Sequence, residues 1–109
     1  MEVKKEEQHI EISLQQEDIS LETIQNLRKD WGDSINCVLI LEDNVHLDQT
    51  ETAALVNWAK SVNVAKSFKV CGIDASTSEK WFGETLDWVP TQTEARDLIF
   101  MEEVERNLD

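Results

Sequence analysis

The feature that most constrains this chain is a continuous apolar run over residues 37–41. Its length and its β-branched residues favour a strand that is covered on both faces. Residues 68–73 also predict a buried strand. Residues 9–14 alternate instead, with Ile10, Ile12 and Leu14 on one side, which predicts a half-buried strand. Residues 1–5 give a weaker signal for a strand paired with it.

Helical patterns separate these strands. The first begins at the N-cap Ser20 and ends at Gly32, and the second follows the N-cap Asp48. A short third helix is predicted over residues 78–86, and residues 88–89 suit a brief edge strand. Thr91 and Glu94 form a capping-box signature that opens a last helix. Its core-facing residues are predicted to be Ala95, Leu98, Ile99 and, further along, Val104.

Strands that alternate with helices require right-handed crossovers and a largely parallel sheet. We therefore predict one α/β domain over residues 1–109. It has a small, mixed, mostly parallel sheet of roughly four or five strands, covered by about four helices. The first strand or strand pair is expected at an edge, where it can be antiparallel.

The charge balance narrows the choice of partner. Asp and Glu number 23 against 10 Lys and Arg, which gives a net charge of −13. Nucleic acids and anionic membranes both require basic residues, so neither is expected as a ligand. No apolar stretch approaches the roughly 20 residues that cross a bilayer, and no signal-peptide pattern is present. We expect a cytoplasmic protein without membrane insertion, whose charged partners offer basic patches.

Enzyme signatures are missing from the sequence. There is no glycine-rich phosphate loop, no GxSxG and no CxxC. His9 and His46 lack a second ligand at metal spacing and are predicted to be loop or surface residues. Cys37 and Cys71 are predicted to be small core residues, and the acidic run 102–105 a solvated helix face. We predict no catalytic residue, no metal and no cofactor. An enzyme of flavodoxin- or thioredoxin-like architecture, and a metal site at Glu42, Asp43 and Asp48, are the weaker alternatives.

The most informative segment is the corner over residues 48–52, which we call the 48–52 corner. A buried strand leads into a loop, then an Asp cap, then Thr50 in the first helical turn. A phosphate on Thr50 would meet backbone N–H groups at the positive end of the helix dipole. It would add about −1.5 to −2 charges. The alternative is that Thr50 and Thr52 are only polar first-turn residues.

Read with the order of elements, this corner resembles the STAS domain (sulfate transporter and anti-sigma factor antagonist). The resemblance spans nearly the whole chain. Residues 10–19, with an acidic turn at Glu17 and Asp18, resemble the second strand and turn of the family. Residues 38–41 resemble its central strand, residues 45–50 its loop, residues 68–73 its next strand and residues 86–95 its closing stretch. Gln16 stands near the place of a family glycine, Gln49 replaces a hydroxyl residue, and Glu51 replaces a glycine.

The resemblance implies a bacterial signalling regulator without enzymatic activity. By matching, Asp48 is the family Asp and Thr50 the phosphoacceptor, and the partner is an anti-sigma factor or a kinase-like regulator. The residues implied in partner binding are Asp18, Asp48, Gln49, Thr50, Glu51 and Thr52. Two alternatives stay open: a STAS subunit of a lipid-transport ATPase complex, and an acidic decoy of a basic partner.

Overall fold

The computed structural model describes residues 1–42, 45–72 and 86–108. In chain order the elements are β1 (Glu2–Lys5), β2 (His9–Leu14), a 3₁₀ turn (Gln16–Asp18), α1 (Leu21–Trp31), β3 (Asn36–Leu41), α2 (Gln49–Val62), β4 (Phe68–Cys71), β5 (Asp87–Val89) and α3 (Gln92–Arg106). The predicted α/β class is confirmed, with five strands and, among the described residues, three helices rather than four. Apart from Leu86, the short helix predicted over residues 78–86 lies outside the described residues.

The five strands lie side by side in chain order. β1 is antiparallel to β2, and the other neighbouring pairs are parallel, as the sequence predicts. One row of paired residues runs across the sheet through Val3, Ile12, Leu39, Val70 and Trp88. Because β2, β3 and β4 are parallel, their carboxyl ends meet at one edge of the sheet. The turn after β2 and the loop before α2 therefore start side by side at this C-terminal edge.

The first face of the sheet carries the larger apolar core, against α1 and α2. Each helix turns its predicted stripe inward, with Ile24 and Leu27 buried on α1 and Leu55, Trp58, Ala59 and Val62 buried on α2. Trp58 is fully buried and meets Phe68 edge to face, with ring centroids 5.0 Å apart. The indole N–H of Trp58 donates to the carbonyl of Gly32 at 3.0 Å, so its polar atom is satisfied inside the core.

The second face packs against α3 and is much more polar. Its apolar cluster is small and consists of Val38, Ile40, Cys71, Val89, Ala95 and Ile99. Beside this cluster the sheet presents four buried polar side chains, those of His9, Glu11, Asn36 and Lys69. A sheet face of this kind selects the side of a helix that can satisfy its polar groups.

Because α3 has to pair with the buried polar side chains of the sheet, part of the prediction for this helix is wrong. Leu98 and Val104, predicted to face the core, are 38% and 45% exposed. Glu102 faces the sheet instead, and its carboxylate accepts from the buried Lys69 ammonium at 2.7 Å. The Lys69 ammonium also pairs with the Asp87 carboxylate at 2.8 Å, so the buried charge lies between two carboxylates. Removing pairing from a buried charge costs about as much as, or more than, the roughly 1.5–3 kcal/mol that is forgone by keeping a leucine in water. The helix therefore turns its carboxylates, and not its full apolar stripe, toward the sheet.

Glu103 also pairs with polar groups, although the sequence predicts a solvated helix face there. Its carboxylate accepts from the Asn36 amide at 3.0 Å and lies 3.6 Å from the Lys66 ammonium. The Asn36 amide, with the charges of Lys66 and Arg106, holds the pKa of Glu103 below its usual value. The acidic run at the end of α3 is thus partly a pairing surface for the sheet.

Both cysteines are buried and neither forms a disulfide, as the sequence predicts. Burial raises the pKa of the Cys37 thiol, and it raises that of Cys71 to about 11. Neither is a reactive thiolate at neutral pH. Among the described helices, none has both the length and the apolar character of a membrane span.

Candidate functional site

The 48–52 corner is built on a complete helix cap. Asp48 is the N-cap of α2, and its carboxylate accepts from the backbone N–H of Glu51 at 2.7 Å. The Glu51 carboxylate turns back and accepts from the N–H of Asp48 at 2.9 Å. This reciprocal pair is the capping box that the sequence predicts. Two carboxylates of the corner are therefore fixed by the backbone.

The two threonines of the corner differ in what they contact. Thr52 is half-buried, and its hydroxyl donates to the carbonyl of Asp48 at 2.8 Å. Thr50 is exposed together with Asp48 and Gln49, and its hydroxyl makes no hydrogen bond within the described part of the chain. Thr50 is thus the more exposed threonine of the two.

The loop that leads into the corner is anchored at alternate residues. Val45 and Leu47 are each 6% exposed and belong to the larger core, while His46 between them is exposed. Two buried side chains on one side of a short extended segment fix the direction in which it enters α2. The position of the corner is therefore set by core packing.

Gln16 connects this loop to the turn after β2. Its side-chain amide donates to the carbonyl of His46 at 3.1 Å, and its side-chain oxygen accepts from the N–H of His46 at 2.6 Å. The amide thus pairs with the His46 backbone as a neighbouring strand would. This contact, which the sequence reasoning missed, brings the 3₁₀ turn and the 48–52 corner together at the C-terminal edge of the sheet.

Asp18, the remaining predicted binding residue, lies in that turn and is half-buried. Its carboxylate accepts from the N–H of Gln15 at 3.0 Å and pairs with the amino group of Met1 at 3.0 Å. The Gln15 N–H, followed by the Met1 amino group, holds the pKa of Asp18 below its usual value. Asp18 is therefore held by Gln15 and Met1, and it is linked to the 48–52 corner only through Gln16 of the same turn.

We expect Gln16→Ala to loosen the corner without unfolding the chain. Losing two hydrogen bonds to His46, each worth about 1 kcal/mol net, should lower the free energy of unfolding by about 1–2 kcal/mol. The free energy of local opening, measured by hydrogen exchange at the His46 amide, should fall by roughly the same amount. Gln25→Ala on the exposed side of α1 is the matched control, with an expected change within about 0.5 kcal/mol. Equal effects of the two substitutions would show that Gln16 does not hold the loop.

A second polar cluster lies on the other face of the sheet and was also missed. Arg96 of α3 donates to both oxygens of Glu11, from Nε at 2.6 Å and from Nη2 at 2.8 Å. The ring of His9 lies 2.7 Å from Glu11 Oε2. His9 is only 9% exposed, so its predicted loop or surface role is wrong. The cluster closes one side of a cavity of about 400 Å³ that Glu6, Glu7 and Phe100 also line.

The chemistry of this second cluster is structural. The hydrogen bonds from Arg96, which outweigh the effect of burial, lower the pKa of Glu11 to about 2. A carboxylate this acidic, with both oxygens occupied, is a poor proton donor or acceptor near neutral pH. Within residues 1–42, 45–72 and 86–108, no three His, Cys, Asp or Glu side chains are grouped so that they could hold a metal ion. Of the weaker metal alternative, Asp43 lies outside the described residues.

A scan of family models gives no match for this chain, and a search of curated proteins also gives none. The STAS resemblance therefore stays a prediction that rests on the residues and on the order of the elements.

Proposed function

We propose that this chain is a cytoplasmic regulator that binds another protein and catalyses no reaction itself. Its docking surface is the 48–52 corner together with the adjacent 3₁₀ turn. The observation that supports this most directly is the pair of hydrogen bonds between Gln16 and the His46 backbone, which joins the two predicted binding segments. The STAS resemblance supplies the class of partner, an anti-sigma factor or a kinase-like regulatory protein.

The corner has the properties of a preorganised binding surface. It lies at the carboxyl ends of parallel strands, where open α/β sheets commonly bind their ligands. Its cap hydrogen bonds are already formed and its loop is anchored by Val45 and Leu47. A partner that docks here immobilises little further backbone, so less of the binding free energy is lost to ordering.

Phosphorylation of Thr50 is the proposed switch. The exposed hydroxyl lies in the first turn of α2 beside the carboxylates of Asp48 and Glu51. A phosphate would add about −1.5 to −2 charges to a surface that is already acidic. A partner that closes over Gln49 and Thr50 would then have to desolvate that phosphate, so binding weakens.

Site-specific photo-crosslinking in the cells that produce the chain tests this proposal. A photoreactive residue at Gln49 should capture one discrete protein. The matched control is the same residue at Lys60, which lies on the same side of α2 about 16 Å further along the helix. Thr50→Glu should reduce capture from position 49 at least about tenfold, equivalent to 1.4 kcal/mol, whereas Thr50→Ser should preserve it. Equal capture from both positions, or capture that ignores Thr50→Glu, would contradict the proposal.

Phosphopeptide mass spectrometry on the same cells gives the second readout. We expect phosphate on Thr50 and not on Thr52, because the Thr52 hydroxyl is engaged with the Asp48 carbonyl. Thr50→Ala should abolish the modification and Thr52→Ala should leave it. Phosphate on Thr52 alone, or none while Gln49 still captures its partner, would remove the switch and leave the docking surface.

A further inference from the structure

A stripe of apolar side chains on the outer side of α3 has no described element packed over it. The outer stripe consists of Phe100, Met101 and Val104 on α3 and of Leu108 just beyond its end, which are 60%, 56%, 45% and 75% exposed. They are outside because the opposite side of the helix carries the carboxylates that pair with Lys69 and Asn36. The outer stripe is therefore a consequence of how the polar face of the sheet is satisfied.

Acidic residues lie around the outer stripe. Asp97 and Glu105 are exposed neighbours on α3 itself. Across the cavity of about 400 Å³ that Phe100 helps to line stand Glu6 and Glu7, in the turn between β1 and β2. A contiguous exposed apolar patch with a polar border is typical of a protein interface. Arg96 also lines this cavity, but it is paired with Glu11. The border is therefore negative on balance and favours a positively charged partner.

We propose that the outer stripe binds a basic amphipathic helix of another protein. The apolar side of that helix would lie on Phe100 and Val104, and its Lys and Arg residues would face the acidic border. Within α3 the stripe runs from Phe100 to Val104, about 6 Å or one helical turn, and Leu108 follows the end of the helix. This length suits two apolar anchors of a partner helix, at i and at i+3 or i+4. This surface is on the opposite face of the sheet from the 48–52 corner, so the two surfaces can be occupied at the same time.

Two other occupants of the outer stripe, a second copy of this chain and an anionic bilayer, are disfavoured by charge. A second copy of the chain would bring another net charge of −13, and an identical acidic border, against the first. Like charges placed together across an interface oppose association. An anionic bilayer is repelled for the same reason. A cationic helix instead satisfies the apolar stripe and its border together.

The test uses the purified full chain and a synthetic helical peptide of Leu and Lys, about 18 residues or five turns long. A peptide of the same composition in scrambled order is the control for charge alone. Calorimetric titration at about 0.15 M salt, where long-range attraction is largely screened, should show binding of the amphipathic peptide only. Phe100→Ser combined with Val104→Ser should weaken binding at least about tenfold. Val64→Ser, at a valine that is 86% exposed elsewhere, should leave it unchanged.

Charge reversal gives an independent variant, because Asp97→Lys with Glu105→Lys leaves the apolar residues in place. It should also weaken binding at least about tenfold and flatten its dependence on salt. The proposal is overturned if the scrambled peptide binds as tightly, or if the double serine variant keeps its affinity. It is equally overturned if sedimentation shows a dimer that the double serine variant dissociates, since the stripe would then be a self-association surface.

Discussion

Replacing Gly72 with alanine should remove most of the stability of this protein. Gly72 follows β4 with a backbone φ of +93°, and a Cβ there would lie 2.0 Å from the carbonyl oxygen of Leu41 and 3.0 Å from its carbonyl carbon. Both atoms are backbone at the end of β3, so neither moves without disturbing the pairing of β3 with β4. A backbone clash added to an unfavourable φ should cost at least about 4 kcal/mol. Urea unfolding measures this loss.

Gly32 provides the matched control. Its φ is also positive, at +70°, but an added Cβ would meet nothing within 4 Å. Gly32→Ala therefore carries only the conformational penalty, about 1–3 kcal/mol. The difference between the two alanine variants isolates the close approach of Gly72 to Leu41. Similar losses at both glycines would show that the ends of β3 and β4 have room to separate.

The stability of this contact matters for the proposed docking surface. Leu41 is the last residue of β3, and the chain runs from it through the anchored residues Val45 and Leu47 to Asp48. Gly72 holds the end of β4 against that strand end. A variant that only weakens this approach should therefore loosen the loop before α2 ahead of the rest of the core.

The first face of the sheet could be predicted from the sequence because its signals are local. The alternating Ile10, Ile12 and Leu14 and the helical stripe ending in Val62 each point at a single apolar layer, so period and composition are sufficient. The Asp48 cap is likewise a pattern of adjacent residues, and its capping box forms as predicted. The exposure of Thr50 follows from its place in the first turn.

The second face could not be predicted in the same way. Periodicity identifies apolar stripes on α3, but it does not say that Lys69, 33 positions before Glu102, will be buried and require a carboxylate. The rotation of α3 follows that pairing together with those of Asn36 with Glu103 and of Glu11 with Arg96. The inward placement predicted for Leu98 and Val104 fails for this reason.

The contacts that position the sites are the least visible in the sequence. Gln16 reaches a backbone 30 residues away, and Arg96 reaches Glu11 over 85 residues. Neither contact produces a repeating pattern in the sequence. Glu11 alternates with apolar residues together with His9 and Ser13, so the pattern predicts a solvated face and gives no signal of a buried partner.

That pair leads to the second large effect. Glu11→Gln should lower the free energy of unfolding by about 2–3 kcal/mol at neutral pH, because it removes a charge-assisted, two-pronged contact with Arg96. The carboxylate is only 3% exposed, while the Arg96 side chain is 44% exposed. Solvent around Arg96 screens part of the attraction, so the value stays below the largest losses seen when one partner of a fully buried ion pair is removed.

The effect of Glu11→Gln on stability should depend on pH. The pKa of Glu11 falls from 4.5 to about 2 on folding, so the folded state binds the proton less readily than the unfolded state. A lowered carboxyl pKa stabilises the fold above the unfolded value of 4.5, and this contribution disappears as the pH falls from there toward 2. The stability gap between the wild type and Glu11→Gln should therefore be full at pH 7 and much smaller near about pH 3.

Glu22→Gln is the control for the loss of one negative charge. Glu22 is exposed in the first turn of α1, where its interaction with the helix dipole is worth about 0.3–1 kcal/mol. Urea unfolding of the three proteins at both pH values separates a specific contact from a general charge effect. A gap for Glu11→Gln that stays constant with pH would mean that the ionised carboxylate is not what holds Arg96. α3 would then be oriented by Lys69 and Asn36 alone.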